Sequence, residues 1–198
     1  MFTDFKKLEL NYFAEMDTVH SSQESKRVIL TFFLTREKLF LAFIMNRCTK
    51  GAVRLIFDKL EHQLGTYDFL TLFNTILTDR GSEFGDPDSL ETEADGIIRS
   101  NIYFCDPMRS GQKGGIEQAH TMLRMVLPKK TSFEFLTQWD LRTIVDHINS
   151  TPRESLNGRT PYNVALENYG IDILKALQLR PIPPDEVNLT PKLIRSNH

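Results

Sequence analysis

Residues 12–20 (YFAEMDTVH) alternate between two faces: Tyr12, Ala14, Met16 and Thr18 on one, Phe13, Glu15, Asp17 and Val19 on the other. This period predicts a β-strand. Two apolar runs follow, residues 27–35 (RVILTFFLT) and 38–45 (KLFLAFIM), separated only by Arg36 and Glu37. They predict an antiparallel hairpin, and their nearly continuous apolar character predicts strands covered on both sides. From Lys50 to about Leu64 the period changes: Val53, Ile56, Phe57, Leu60 and Leu64 recur at helical spacing, with Thr49 as cap and Gly65 as stop.

A short apolar run, Phe73 to Thr78, predicts a strand ending at Asp79, and Ile102 to Cys105 predicts another, stopped by Asp106-Pro107. Between them, residues 82–95 (SEFGDPDSLETEAD) hold six acids and no base. They are expected to form a surface excursion with a short helix after Pro87. A Ser/Gly loop then leads into a helix from about Gly115 to Leu127, ended by Pro128. On it, Ile116, Ala119, Leu123 and Val126 share one side, and Glu117, His120, Thr121 and Arg124 another. The glycines at 111, 114 and 115 are expected to give this helix a mobile lead-in. Thr137 and Asp140 form a capping-box pattern that starts the next helix, which stops before Pro152. Thr160-Pro161 starts a further helix, closed by Gly170 and followed by a short turn over 172–178. The proline-rich stretch from Arg180 is expected to be extended or partly disordered. An antiparallel hairpin followed by strands alternating with helices is an α/β pattern with a mixed sheet.

Composition alters this picture little. The 198 residues, 40% hydrophobic and 25% charged, suit one domain with a substantial core. Twenty-four basic and 26 acidic residues give a net charge of −2, so total charge does not argue for nucleic acid and local distribution must. Cys48 and Cys105 are far apart, show no Cys-x-x-Cys pairing and read as free thiols of a reducing compartment. The five histidines show no zinc-ligand spacing. The longest apolar run is too short to span a bilayer, and the N-terminus lacks the hydrophobic stretch of a signal peptide, so a cytoplasmic protein is expected.

Local charge is more informative. Residues 107–130 (PMRSGQKGGIEQAHTMLRMVLPKK) carry one acid, Glu117, among Arg109, Lys113, Arg124, Lys129 and Lys130. Asp17 lies on the first strand and Asp79 just beyond a later strand's C-terminal end, where open α/β sheets place ligands. Three hard oxygen donors converging at one sheet edge would suit Mg²⁺ or Mn²⁺. The plainer reading makes Asp79 a turn residue and Glu117 a carboxylate favoured by a helix N-terminus.

Taken together, the motifs resemble the catalytic domain of DDE transposases of bacterial insertion sequences, nearest to the IS-thirty family. Glu15-Met16-Asp17 is similar to the family's Glu-x-Asp. Residues 78–84 (TDRGSEF) are similar to its Thr-Asp-Asn-Gly-x-Glu-Phe, with Arg80 in place of the usual asparagine. Residues 103–128 and 149–161 resemble its later Tyr-Phe-x-x-Pro … Gly-x-x-Glu … Leu-Arg … Pro-Lys and Asn-x-x-Pro-Arg … Thr-Pro segments. The resemblance spans about residues 12–169. It implies a ribonuclease-H-like fold: a mixed five-stranded sheet, its first three strands antiparallel, with helices on both faces. It implies a catalytic domain over 1–178, with 179–198 as a proline-rich tail, and no N-terminal helix-turn-helix region in this chain. Asp17, Asp79 and Glu117 would then be the catalytic and metal-binding triad, holding two Mg²⁺ or Mn²⁺ ions. Arg124 would contact DNA, with Lys113, Arg109, Lys129 and Lys130 as further phosphate contacts. The implied activity is metal-dependent nicking at element ends and strand transfer into target DNA. A homodimer or higher multimer on DNA, associated with the bacterial nucleoid, would carry it out. The alternatives are a ribonuclease-H-like nuclease, or a degenerate copy that only binds DNA or a protein.

Overall fold

The computed structural model of the chain describes residues 2–21, 25–93, 96–107 and 109–195. Five strands form the sheet: β1 (Ala14–His20), β2 (Val28–Leu34), β3 (Leu39–Met45), β4 (Thr75–Thr78) and β5 (Asn101–Phe104). The helices are α1 (Phe2–Lys7), α2 (Lys50–Leu64), α3 (Thr66–Phe73), α4 (Pro87–Glu91), α5 (Gly114–Val126), α6 (Gln138–Asn149), α7 (Pro161–Ala176) and α8 (Lys192–Arg195). Strand order is β3-β2-β1-β4-β5. β1–β2 and β2–β3 are antiparallel, whereas β1–β4 and β4–β5 are parallel. The sheet is therefore mixed, as the pattern predicts, and its first three strands are antiparallel, as the resemblance implies. Among the described residues no helix is long and apolar enough to cross a membrane.

Consecutive phenylalanines on β2 show which helices cover which face, because side chains alternate along a strand. Phe32 packs edge-on against Phe57 of α2 and Phe73 of α3, at 5.7 and 5.2 Å between ring centroids. Phe33 faces the other way, toward Gly115 at the start of α5. Both rings are buried, and both faces of β2 are covered, which accounts for its nearly continuous apolar run, interrupted by Thr31 alone. At the outer strand, α6 lays two amide side chains along β3. Asn149 accepts from the Phe40 N–H at 2.9 Å and donates to the Phe40 carbonyl at 2.8 Å. Gln138 accepts from the Ile44 N–H at 2.9 Å and donates to the Ala42 carbonyl at 3.0 Å.

The caps fall where the sequence places them. Thr49 accepts from Ala52 N–H, and Thr137 and Asp140 form the reciprocal capping box. Gly170, at φ 80°, breaks α7 internally.

Three expectations need correction. Phe73 ends helix α3 rather than opening a strand. Phe69, Leu72 and Phe73 are spaced for one helical face and are buried on it, so only Thr75–Thr78 is extended. The acidic stretch is not a simple surface excursion. Phe84 and Leu90 are buried, and Glu91 accepts the Ile102 N–H at 2.7 Å. Arg99, 1% exposed, ties this segment down: its guanidinium meets Asp58 at 2.6 Å, Glu61 at 2.9 Å and the carbonyls of Ser89 and Leu90. The helix expected after Pro87 is present as α4, while residues 94 and 95 lie outside the described residues. The stretch from Arg180 is held along α6. The N–H groups of Arg180, Ile182 and Asn188 donate to Asp146, Ser150 and His147 at 3.0, 2.9 and 3.1 Å. Residues 196–198 of that stretch lie outside the described residues.

Candidate active site

β1 is the central strand, and its backbone pairs with β4 only at Ala14↔Ile76 and Glu15↔Leu77. Beyond that point lie Asp17 on β1 and Asp79 just past β4, both partly exposed. Lys113, from the 3₁₀ turn Ser110–Lys113 preceding α5, reaches between them. Its Nζ lies 3.1 Å from Oδ2 of Asp17 and 3.1 Å from Oδ2 of Asp79, and donates to the Met16 carbonyl at 3.3 Å. The lysine side chain is 2% exposed. Burial works against the ammonium, but the two facing carboxylates outweigh it and hold the Lys113 pKa above its ordinary value. Lys113, expected as a phosphate contact, is thus turned inward as a countercharge.

Local hydrogen bonds fix both aspartates. Thr18 N–H donates to Asp17 Oδ1 at 2.8 Å, and Gly81 N–H donates to Asp79 Oδ1 at 2.9 Å, which closes a tight turn after β4. In each case the other oxygen is the one aimed at Lys113.

Glu15, two residues before Asp17, anchors α5. It is 4% exposed, and its Oε2 accepts the Ile116 N–H at 2.6 Å, supplying the helix N-terminus with a carboxylate. Burial raises the Glu15 pKa, opposed by the Ile116 and Gly115 N–H groups. The approach is close enough to require glycine at 115, where an added Cβ would lie 2.3 Å from Phe33 Cε1 and 3.1 Å from Glu15 Oε2. Gly115 is therefore a packing contact rather than part of a mobile lead-in. The sequence shows Glu15 only as a motif letter; its place on one strand face with Phe13 and Val19 was the available signal.

Glu117 stands exposed in the first turn of α5, and among the described residues its carboxylate makes no hydrogen bond or ion pair. Ile116, Ala119, Leu123 and Val126 are buried, as the helical period predicts. His120 departs from that period. Its Nε2 lies 2.8 Å from Thr31 Oγ1, which itself donates to the Asp17 carbonyl at 3.0 Å. That arrangement makes Nε2 the protonated nitrogen. Burial, with Lys113 and Arg124 adding to it, lowers the His120 pKa to about 4.

The basic residues divide by position. Arg124 is half-buried, donating to the His20 carbonyl at 2.7 Å and pinning the end of α5 to the end of β1. Arg109, Lys129 and Lys130 are exposed. A pocket of about 440 Å³ opens beside Asp79, lined by Arg80, Arg109 and Lys113 with Gly81, Cys105, Asp106 and Pro107. Carboxylate oxygens converging on one cation, next to an arginine-bearing pocket, form a site able to bind a divalent cation and a phosphate together. The donor set is chemically suited to Mg²⁺ or Mn²⁺: hard oxygens only, already gathered around a positive charge.

No family model matches the chain. Its sequence is 36% identical over 93 residues to the transposase for insertion sequence element IS1086 of Cupriavidus metallidurans, covering 47% of this chain and 26% of that protein. It is 35% identical over 63 residues to the transposase InsI for insertion sequence element IS30A of Escherichia coli K12, covering 32% and 16%. The chain is related to the insertion-sequence transposases. It matches about a quarter or less of the length of these curated relatives. Among solved structures, it is similar to the catalytic core domain of BIV integrase, with TM-score 0.53, 19% identity, and 79% and 94% of the two chains covered. It is also similar to the simian T-cell lymphotropic virus intasome in complex with PP2A regulatory subunit B56 gamma, with TM-score 0.60, 16% identity, and 87% and 57% covered. A third is the HTLV-2 integrase catalytic core domain in complex with magnesium, with TM-score 0.50, 13% identity, and 78% and 95% covered. These likenesses establish the fold, which is the ribonuclease-H-like fold of integrase cores.

Proposed function

We propose that this chain is the catalytic domain of a DDE transposase that nicks DNA at element ends and joins the freed 3′-hydroxyl to target DNA. The observation that carries the reading is the convergence of Asp17 and Asp79, from separate strands, on a single cation position. Asp17, Asp79 and Glu117 would hold Mg²⁺ or Mn²⁺, expected as two ions. Such ions, when bound, acidify a water or hydroxyl and neutralise charge on the scissile phosphate.

The chain's own residues position groups. Asp17 and Asp79 each commit one oxygen to a backbone N–H and direct the other inward. Glu15 and Gly115 seat the helix that carries Glu117. Lys113 neutralises the paired aspartates while no divalent cation is there. Arg80 and Arg109 border the pocket beside Asp79 and suit a DNA phosphate, with Lys129 and Lys130 extending the basic surface past α5. Arg124 keeps α5 in register with β1 and serves DNA contact from that position. Two element ends must meet for joining, so a dimer or larger assembly on DNA, at the nucleoid, is the working form.

The test is a joining assay with a labelled oligonucleotide bearing a recessed 3′-hydroxyl, in Mn²⁺ or Mg²⁺. Wild type should join strands. Asp79→Ala and Glu117→Ala should lose joining by several orders of magnitude with circular dichroism unchanged. Hydrolysis without joining would convert the reading to a ribonuclease-H-like nuclease. Joining by Glu117→Ala at the wild-type rate would overturn the triad.

A further inference from the structure

Away from the paired aspartates, three side chains with different donor atoms meet at the end of β1. The ligand atoms of His20, Cys48 and Glu83 all lie within 4.8 Å of one another. They come from the last residue of β1, the loop between β3 and α2, and the 3₁₀ turn Ser82–Phe84 that follows Asp79. Thr18 sits among them: its hydroxyl donates to Glu83 Oε1 at 2.6 Å and lies 3.4 Å from His20 Nε2. Thr18 and His20 share one face of β1, opposite the face carrying Asp17.

The electrostatics of Glu83 make this cluster more than a coincidence of polar groups. Its side chain is 7% exposed, and among the described residues no basic side chain forms an ion pair with it. A buried carboxylate ordinarily has a cationic partner or a metal. A thiol, an imidazole and a carboxylate are together the donor types of zinc sites, unlike the all-oxygen set around Asp17 and Asp79. His20 is exposed, so a fourth coordination position would face solvent.

We propose that His20, Cys48 and Glu83 form a second, zinc-type metal site that clamps the end of β1 to the turn following Asp79. The site is separate in ligands and in metal preference from the candidate active site. Binding would convert Cys48 to its thiolate, releasing the thiol proton to solvent. The metal would join the strand bearing Asp17, the turn bearing Glu83 and the start of α2 through one point. Its role would be to hold the spacing between the two segments that carry the aspartates.

The experiment is titration of the purified, chelator-stripped chain with Co²⁺, followed by displacement with Zn²⁺. One Co²⁺ per chain should give a thiolate-to-metal absorption band in the near ultraviolet. Zn²⁺ should abolish the band and millimolar Mg²⁺ should not. Cys48→Ser should lose it, while Cys105→Ser and the Asp17→Asn/Asp79→Asn double variant keep it. Because Cys48 is half-buried, His20→Ala provides a second reading on an exposed residue, with Co²⁺ affinity expected to fall at least roughly tenfold. Absence of a thiolate band in wild type overturns the proposal. So does a band that survives Cys48→Ser, one that disappears in Cys105→Ser, or unchanged affinity in His20→Ala.

Discussion

The Nζ of Lys113 lies 3.1 Å from Oδ2 of Asp17, and the lysine side chain is almost wholly buried. It makes the same 3.1 Å contact with Asp79, so one ammonium neutralises two carboxylates that would otherwise repel each other. Replacing it by methionine should destabilise the metal-free chain. Breaking a buried pair costs several kcal/mol, but Asp79 is 48% exposed and water screens part of the loss, so on the order of 1–3 kcal/mol is expected. Millimolar Mg²⁺ or Mn²⁺ should restore more stability to Lys113→Met than to wild type. Urea unfolding with and without chelator measures both quantities. Equal stability of the two proteins in chelator would remove Lys113 from this role.

Gly115→Ala should cost about 1–3 kcal/mol, because the new methyl group enters the Phe33 ring and crowds Glu15. Phe33→Leu in the same chain should recover part of that loss. A double-mutant cycle by urea unfolding should therefore be non-additive, whereas additive costs would mean the contact is not the cause.

His120 predicts an acid-sensitive segment of the stability curve. Burial, with Lys113 and Arg124 nearby, lowers its folded pKa to about 4, against an ordinary value of 6.5. The unfolded chain therefore binds the proton more readily. The stability from neutral His120 is complete above pH 6.5 and is lost as pH falls toward 4, by about 3 kcal/mol in all. His120→Asn should flatten that segment. An unchanged slope between those pH values would refute the assignment.

Asp146 predicts the opposite slope. Burial raises its carboxyl to about 6 despite the Arg180 N–H bonded to it. The folded chain holds this proton more tightly, so its contribution favours folding at low pH and turns unfavourable as pH rises from about 3.8 through 6. Asp146→Asn should gain on the order of 2 kcal/mol at neutral pH, after discount for residual hydration, and little near pH 4. Thermal unfolding at the two pH values measures the difference.

These cases show which kinds of information the chain carries openly. The alternation around Asp17, the apolar runs of β2 and β3, the capping box at Thr137 and the break at Gly170 are local signals, and each is found where expected. Helix α3 was hidden because its apolar face runs straight into the strand that follows; Gly65 serves both as stop and as restart. The inward turn of Lys113 is not local at all. It depends on a 3₁₀ turn meeting the ends of two strands, so its spacing from Glu117 gave no warning. His120 falls on the polar side of its helix by angle, yet Thr31 across the sheet draws it in. Glu15 and Glu83 were visible as motif letters, but their burial was not. His20, Cys48 and Glu83 come from three separate segments, which no spacing rule joins.

The amide side chains of Asn149 and Gln138 along β3 have a consequence for self-association. They occupy four outward-facing backbone groups: the Phe40 N–H and carbonyl, the Ala42 carbonyl and the Ile44 N–H. A neighbouring chain therefore finds no open ladder there to extend the sheet. The outer strand β3 is thereby a poor seed for fibrous stacking at high protein concentration.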